Sequence, residues 1–362
     1  MPIETLEQIT QDMLLELQSK HPPASSSLSY TPHQIVKAKP MVDGQLFQVI
    51  VVGGTYYKCA LFEFRNGQAH IKDAEDGKLQ TLATEGAFLT FIESLLHPSI
   101  DRLVVNFAFP LKPITDDSTH ILDGILLTES KEHKLEGLVG KAVGKQIKEH
   151  VFASRGQEIQ VSVANDTICL LLSGLTDTTT PQSIAAGIVG TGVNFAYFET
   201  DECAVNTEAG NFSAFAQPHE MKLVDRISSN PGAALYEKTV AGAYLYKLYN
   251  ERIKELDNMH ESDLIKDTQE LDDLARSADQ LKAPIAQEIL TRSAQLTACM
   301  MAALMLHKKR SLTFVMEGSV FWKAWNYEDM VNATVHKLAP DYTMHAIRVS
   351  ESNVLGAAQL LP

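Results

Sequence analysis

Cysteine is scarce in this chain of 362 residues, and basic residues do not outnumber acidic ones. The four cysteines, Cys59, Cys169, Cys203 and Cys299, stand singly in apolar stretches, with no Cys-x-x-Cys pair and no histidine cluster at metal-ligand spacing. We therefore expect them to be buried, reduced thiols. The 31 Lys and Arg against 45 Asp and Glu give a formal charge of −14, which disfavours nucleic acid and anionic membranes as principal partners.

Long apolar runs and a leader-like N-terminus are lacking too. The longest apolar candidate, 298–306, is followed at once by a basic stretch at 307–310, so we expect no run of the roughly 18 residues that a bilayer requires. The chain begins Met-Pro-Ile-Glu-Thr, without a basic segment that leads into an apolar one, and we expect no secretory signal. With 45% hydrophobic and 21% charged residues, the composition predicts a globular protein of two domains. Since we expect neither a signal nor a membrane span, the expected location is the cytoplasm.

A glycine turn occurs twice, each time between two strand-like runs. The first copy is FQVIVVGGTYYKCALFEF at 47–64, and the second is IAAGIVGTGVNFAYFET at 184–200. Dinucleotide folds and P-loops follow their glycines with a helix, so the strand after each turn excludes both motifs. Backbone amides at such a turn can face an anion, because glycine tolerates close approach. One phosphate-holding hairpin in each half of the chain indicates a duplicated architecture.

Periodicity predicts the elements around these turns. We expect a first helix at 5–19, opened by a capping box of Thr5 and Gln8. Further predicted helices are 84–97, 140–150, 165–172, most of 233–306 and 353–361; predicted strands are 47–52, 57–64, 68–72, 101–109, 157–164, 184–189, 194–200, 204–207 and 312–316. Asp166 falls where a strand ends and a helix begins, a usual place for a catalytic group in layered α/β proteins.

Ten segments together resemble the hexokinase family of the actin, Hsp70 and sugar-kinase superfamily, in the family's order. They are IVVGGTYYKCALFE, NFAFP, LEGLVGKAV, VANDTICLLL, IVGTGVNFAYFE, VNTEAGNF, SSNPGAALYEKTVAGAYL, LTRSAQLTACMMAAL, MEGSVFWK and SESNVLGAAQLL. The resemblance implies an α/β fold of two actin-like (ribonuclease H-like) domains flanking a central cleft. The large domain would comprise 1–43 and 166–346, and the small domain 44–165 and 347–362.

The resemblance also implies ATP-dependent phosphorylation of a hexose 6-hydroxyl, with Mg²⁺ to offset the phosphoryl charge. Asp166 would be the general base, although Asp before an apolar helix is also a common N-cap. The sugar-binding positions would be Asn165, Asn194, Glu208, Glu237 and Thr128. The nucleotide-binding positions would be Gly53, Gly54, Thr55, Lys58, Gly190, Thr191, Gly192, Gly318, Ser319, Ser350 and Gly356. No side chain is assigned as a direct metal ligand, and the partners would be a small hexose and a nucleotide.

Several site positions depart from the family pattern. Val51 replaces an Asp that helps to hold Mg²⁺ through water, Ala108 replaces a sugar-binding Ser, and Glu129 replaces a Lys that approaches sugar and phosphate. At four further positions the residue type also differs: Lys58 stands where the family has Arg, Ala209 where it has Trp, Ala234 where it has Gln, and Glu317 where it has Asp.

Two hypotheses account for these departures: a divergent kinase, or a catalytically impaired sugar sensor or regulatory protein. An actin-like assembly protein is a third and weaker alternative, because the sugar-binding positions match so extensively. The sequence leaves open the hexose, the phosphoryl donor and the oligomeric state.

Overall fold

The chain folds into two compact units, as seen in a computed structural model that describes residues 1–19, 27–35, 41–115, 121–128, 133–175, 179–256 and 260–361. The first unit comprises 1–30, 182–197 and 206–348, and the second comprises 31–181, 198–205 and 349–362. Three ranges that the family resemblance assigned to the large domain, 31–43, 166–181 and 198–205, lie in the second unit.

Strands and helices alternate along much of the chain. The strands are β1 (Thr31–Gln34), β2 (Leu46–Val52), β3 (Tyr56–Arg65), β4 (Gln68–Lys78), β5 (Arg102–Phe107), β6 (Leu111–Thr115), β7 (Leu122–Leu126), β8 (Gln160–Ala164), β9 (Ile184–Val189), β10 (Val193–Thr200), β11 (Cys203–Asn206), β12 (Leu312–Glu317) and β13 (Met344–Ile347). The helices are α1 (Ile3–Gln18), α2 (Glu85–Leu95), α3 (Val143–Arg155), α4 (Asp166–Ser173), α5 (His219–Arg226), α6 (Leu235–Val240), α7 (Gly242–Ile253), α8 (Thr268–Ala275), α9 (Lys282–Lys308), α10 (Ser319–Lys323), α11 (Tyr327–Leu338) and α12 (Ser352–Ala358).

The second unit is built on a five-stranded sheet with the order β4-β3-β2-β5-β8. Strands β2, β3 and β4 form an antiparallel meander, and β5 and β8 then add in parallel. Because parallel strands need a crossover, the chain passes through α2 and α3 between them. Large apolar side chains fill the core of this unit, among them Phe88, Ile92, Phe107, Ile147 and Val163. Because β2, β5 and β8 run parallel, their carboxyl ends share one edge of the sheet.

A second sheet has six strands in the order β1-β11-β10-β9-β12-β13. Strands β9 and β10 pair antiparallel, whereas β12 runs parallel to both β9 and β13. In the first unit, α1 and α11 pack against the long helix α9. Both glycine turns thus join paired antiparallel strands, as the sequence predicts.

Helix α9 is the one helix in the described ranges that is long and apolar enough to span a membrane. Its 18-residue window has a mean hydropathy of 1.4, although polar residues such as Arg292 and Gln295 interrupt the apolar run within the helix. However, 83% of that window is buried inside the protein. Burial on this scale identifies α9 as a core helix that α1 and α11 cover.

The first helix starts earlier than its predicted capping box allows. Helix α1 begins at Ile3, with Pro2 at the N-cap and no side-chain cap. The predicted capping box of Thr5 and Gln8 is therefore wrong, because both residues lie inside the helix. The proline, whose φ of −57 is already close to the helical value, opens it instead.

Candidate active site

The first glycine turn connects β2 to β3 in the second unit. The N–H of Gly53 donates to the carbonyl of Tyr56 at 3.0 Å, and the N–H of Leu79 donates to the carbonyl of Thr55 at 2.8 Å. The next two N–H groups of the turn, those of Gly54 and Thr55, have no hydrogen-bond acceptor among the described residues. A Cβ on Gly53 would lie 2.9 Å from the Tyr56 carbonyl oxygen, so the turn requires glycine there. The turn therefore presents two outward amide donors.

The second turn repeats this arrangement in the first unit, between β9 and β10. The N–H of Gly190 donates to the carbonyl of Gly192 at 3.0 Å, while those of Thr191 and Gly192 meet no acceptor in the described ranges. Gly318 lies against this turn, and a Cβ there would be 2.1 Å from the carbonyl oxygen of Val189. Because its φ is also +108, only glycine fits at 318. Four predicted nucleotide-binding residues of this unit, Gly190, Thr191, Gly192 and Gly318, are thus neighbours.

Asp166 is the first residue of α4, immediately after β8. Its Oδ1 accepts hydrogen bonds from the N–H and the hydroxyl of Thr167 at 2.7 and 3.2 Å. The N-cap is Asn165, whose side-chain oxygen accepts from the Thr167 N–H at 3.0 Å. The alternative explanation of Asp166 as an N-cap is therefore wrong, since the neighbouring asparagine has that role. Asp166 stands half-buried in the first turn of the helix.

Three polar side chains of the first unit form a hydrogen-bonded chain. The Asn194 amide donates to Asn206 Oδ1 at 2.9 Å, and the Asn206 amide donates to Glu208 Oε1 at 2.7 Å. Asn194 Oδ1 also accepts from the N–H groups of Phe195 and Ala209 at 2.8 and 3.1 Å. The predicted sugar-binding residues Asn194 and Glu208 are thus brought together. The sequence analysis missed Asn206, which joins them, although it lies in the quoted segment VNTEAGNF.

Glu237, another predicted sugar-binding residue, lies beside the second turn. Its Oε2 accepts from the N–H of Val193 at 3.4 Å. The next residue, Lys238, is completely buried, and its amine donates to Asp225 Oδ1 at 2.6 Å and to the carbonyl of Asn230 at 2.8 Å. Since a buried ammonium needs such partners, Lys238 fixes α6 against the preceding loop and so fixes Glu237. Sequence reasoning missed Lys238, because nothing local shows that a lysine is buried.

Comparisons with known proteins agree with this geometry. A family model described as Hexokinase matches residues 184–266 and 249–361. The chain belongs to the hexokinase family. Hexokinase-3 of Mus musculus is 25% identical to it over an alignment of 433 positions, gaps included, which covers 98% of this chain and 45% of that protein. Hexokinase-1 of Spinacia oleracea is 27% identical over 237 residues, which cover 55% of this chain and 46% of that protein. The chain thus spans less than half the length of these hexokinase relatives.

Solved structures confirm the fold. A hexokinase from Schistosoma mansoni complexed with glucose superposes with a TM-score of 0.80 at 21% identity, covering 99% of this chain and 95% of that one. A ROK family glucokinase from Streptomyces griseus in complex with glucose and AMPPNP gives a TM-score of 0.57 at 15% identity, covering 87% and 98%. The predicted fold, that of a two-domain actin-like sugar kinase, is therefore correct.

A cavity of about 360 Å³ adjoins the second turn of this hexokinase-family chain. Its lining includes Gly190, Thr191, Tyr246, Lys266, Thr268 and Ser319. An aromatic ring, a lysine and outward turn amides suit a base, a phosphate and a ribose. The sequence analysis identified Gly190, Thr191 and Ser319 but missed Tyr246, which lies within α7 just beyond the quoted segment, and Lys266 and Thr268, because the polar stretch after α7 has no motif.

Magnesium is the second group that the family implies, and the sheet of the second unit tests whether it fits. Val51 is the Cα partner of Lys58 on β3 and of Asn106 on β5, so the three side chains share one face of the sheet. Lys58 forms an ion pair with Glu351. Asn106 is fully buried; its amide donates to the Asn353 carbonyl at 3.0 Å, but its Oδ1 has no partner in the described chain.

These residues fit a Mg²⁺ ion that is held mainly by substrate and water. In the described ranges, no group of three or more His, Cys, Asp or Glu could form a closed metal site. Mg²⁺ in phosphoryl-transfer sites needs only one or two protein oxygens beside the phosphates. The unpartnered amide oxygen of Asn106 and the carboxylate of Asp166 are acceptors that suit the water molecules of such an ion.

Three further predicted residues, Thr128, Ser350 and Gly356, belong to the second unit. Thr128 is exposed just after β7, and Ser350 is exposed just before α12. Gly356 packs α12 onto α4, since a Cβ there would be 1.7 Å from the carbonyl oxygen of Cys169. Their ligand contacts stay predictions. Ala108 follows β5 and donates its N–H to the Val52 carbonyl at 3.0 Å, whereas Glu129 lies outside the described residues.

Proposed function

We propose that this protein transfers the terminal phosphoryl group of ATP to the 6-hydroxyl of a hexose, with Asp166 as the general base. The observation that carries the proposal is the retained carboxylate at the β8–α4 junction. Thr167 holds one of its oxygens through two hydrogen bonds. A protein that only binds sugar has no need for a base at this position.

The chain's own groups have separate tasks in this mechanism. Asn194, Glu208 and Glu237 would accept and donate hydrogen bonds to sugar hydroxyls, and the chain through Asn206 holds two of them in place beforehand. Asp166 would take the proton of the 6-hydroxyl as that oxygen attacks the phosphorus atom. The outward amides of the two glycine turns would stabilise the charge on the phosphate oxygens.

Magnesium, when bound with the nucleotide, neutralises part of the phosphate charge. Asp166 and Asn106 are the residues that would hold its water ligands, since position 51 carries an apolar side chain. The cavity beside the second turn would take the adenosine, with the base against Tyr246 and the phosphates towards Thr191. These assignments extend the family relationship to this chain's own residues.

A sugar sensor is the second candidate function. The residue types at Val51 and at its strand neighbour Lys58 favour it. An apolar side chain stands where the family has a metal-orienting carboxylate, and the neighbouring Lys58 is paired with Glu351. Loss of one such electrostatic contact commonly costs about 10²- to 10³-fold in rate, which is less than the whole rate enhancement of an enzyme. We therefore rank the kinase first.

The deciding experiment is a coupled ADP-release assay with ATP, Mg²⁺ and a panel of glucose, mannose, fructose and N-acetylglucosamine. We expect hexose-dependent ADP release by the parent protein. Asp166→Asn keeps the side-chain shape but removes the base, so turnover should fall by roughly 10² or more while the hexose dissociation constant changes little.

Asp341→Asn is the matched control, because Asp341 is exposed and has no assigned role. It should leave turnover unchanged. Hexose binding without any hexose-dependent ADP release in the parent protein would establish the sensor instead. ADP release that survives Asp166→Asn undiminished would refute the assignment of the base.

A further inference from the structure

A buried histidine lies against the first glycine turn. His133 is only 2% exposed, and its Nδ1 accepts a hydrogen bond from the N–H of Leu82 at 2.9 Å. Since a neutral imidazole carries one proton, that proton must be on Nε2. Nε2 is 2.7 Å from the carbonyl oxygen of Gly54, to which it donates. The two contacts together fix the tautomer and orientation of the ring.

The contact with Gly54 determines where the next amide of the turn points. The peptide group between Gly54 and Thr55 is planar and trans, so its C=O and N–H point in opposite directions. Because His133 holds the carbonyl on its own side, the N–H of Thr55 is directed away from the imidazole. This is one of the two turn amides that have no acceptor among the described residues.

His133 completes a set of bonds that leaves only the outward amides free. The carbonyls of Thr55 and Tyr56 accept from Leu79 and Gly53 at 2.8 and 3.0 Å, and that of Gly54 accepts from His133. Without the imidazole, the Gly54 carbonyl could exchange its partner for water, because Gly54 lies at the surface, and the peptide could rotate. Donors that are already oriented need no reorganisation when an anion binds.

We propose that His133 is a positioning residue for nucleotide phosphate: it fixes the Gly54–Thr55 peptide so that the Thr55 amide faces a phosphate oxygen. The inference rests on the proposed function, because it takes the anion at this turn to be a nucleotide phosphate. Packing alone would be served by an apolar ring, since His133 also makes an edge contact with Phe109 at 5.9 Å between ring centroids. The bond to Gly54 is what packing does not require.

Two variants of His133 separate these roles. In His133→Asn the amide is short, so it can meet the Leu82 N–H at the former Nδ1 position but cannot reach the Gly54 carbonyl. In His133→Gln the longer side chain can donate near the former Nε2 position. The probes are AMPPNP with Mg²⁺, ADP with Mg²⁺, adenosine and glucose, each titrated by calorimetry, and the thermal midpoint of each variant reports folding.

We expect His133→Asn to weaken AMPPNP and ADP binding roughly tenfold. This loss of affinity corresponds to part of the free energy that one hydrogen bond to a charged group contributes. Adenosine and glucose carry no phosphate, so their affinities should change less than twofold. His133→Gln should restore AMPPNP affinity to within about threefold of the parent by the same reasoning. His33→Asn is the matched control, because His33 is equally buried in the second unit but bonds to the Thr31 carbonyl, and it should leave all four affinities unchanged.

Equal AMPPNP affinity in the parent and in folded His133→Asn would overturn the inference while the proposed function stands. Equal losses for adenosine and AMPPNP would also overturn it, because they would indicate general damage to the site. If the parent binds glucose but neither AMPPNP nor ADP, the proposed kinase function fails and the inference fails with it.

Discussion

Position 51 lies among polar residues in the sheet of the second unit. Val51 is half-buried on β2, between Lys58 and Asn106 on the neighbouring strands. Both neighbours bear polar groups on the same face, and the buried Asn106 Oδ1 has no partner in the described chain. A carboxylate at 51 would stand beside a cation and an amide, and not among apolar side chains alone. The position is therefore open to a charge that the interior of a sheet would normally exclude.

Val51→Asp should restore a metal-orienting carboxylate. We expect a lower Mg²⁺ concentration at half-maximal turnover, by about tenfold, together with increased turnover at saturating ATP and hexose. In the absence of Mg²⁺ the thermal midpoint should fall, since a partly buried carboxylate then lacks its cation. Both quantities are measured by Mg²⁺ titration of ADP release and by thermal unfolding with and without Mg²⁺.

Val42→Asp is the control for added charge, because Val42 is 69% exposed. It should change neither quantity. An unchanged Mg²⁺ dependence in Val51→Asp, with the fold intact, would show that this position does not govern the metal.

At the scale of elements, the two helices that cover the second unit's sheet are joined by one carboxylate. Glu93 of α2 accepts hydrogen bonds from Arg155, Ser154 and His150 of α3, at 2.9, 2.8 and 2.8 Å. The hydrogen bond from Arg155 is the main cause that lowers the pKa of Glu93 to about 2, and those from Ser154 and His150 add to it. The ordinary value is 4.5, so the folded protein favours the ionised form.

The stability that Glu93 contributes should be present above pH 4.5 and should be lost as the pH falls from 4.5 towards 2, because the folded pKa is the lower one. Glu93→Gln removes this titration. We expect the free energy of unfolding to fall less steeply between pH 5 and pH 3 in the variant than in the parent. Urea titrations at several pH values measure it, with Glu149→Gln on the exposed face of α3 as control. Parallel pH profiles for parent and Glu93→Gln would contradict the prediction.

Elements with a local signal were predictable, and those without one were not. The turn glycines and the alternation around them predict both hairpins, because the reason for each glycine lies within a few residues. Helix α11 was missed, since it starts after Asn326 in the left-handed conformation with no side-chain cap. Strand β6 was also missed, because Pro113 within it is a signal against a strand. Strand β4 continues to Lys78, beyond the predicted end at 72, since pairing with β3 stabilises an exposed polar run.

For the molecule as a whole, the family resemblance predicted the fold, which local sequence patterns could not predict. The order of ten segments identified the fold, whereas no single hairpin could. The partners of His133, Lys238 and Asn206 are set by tertiary contacts, so these residues have no recognisable motif. The unit boundaries also differ from the predicted ones, and no local pattern in the sequence marks them. The cytoplasmic location and the contacts of each predicted site residue stay predictions.

Hexose binding by the whole chain separates both candidate functions from an assembly protein, since kinase and sensor alike require it. A hexose at about 100 times its dissociation constant stabilises the folded state by about 2.7 kcal/mol, which for a chain of this size raises the thermal midpoint by about 3 °C. We expect this shift with at least one of glucose, mannose, fructose and N-acetylglucosamine at millimolar concentration. Glu208→Gln should reduce it, because the neutral amide oxygen accepts weaker hydrogen bonds than the carboxylate does, both from the Asn206 amide and from sugar hydroxyls. Glu202→Gln, at an exposed turn, should leave it intact. If all four sugars leave the midpoint of the parent unchanged, the sugar site assigned to Asn194, Glu208 and Glu237 is wrong.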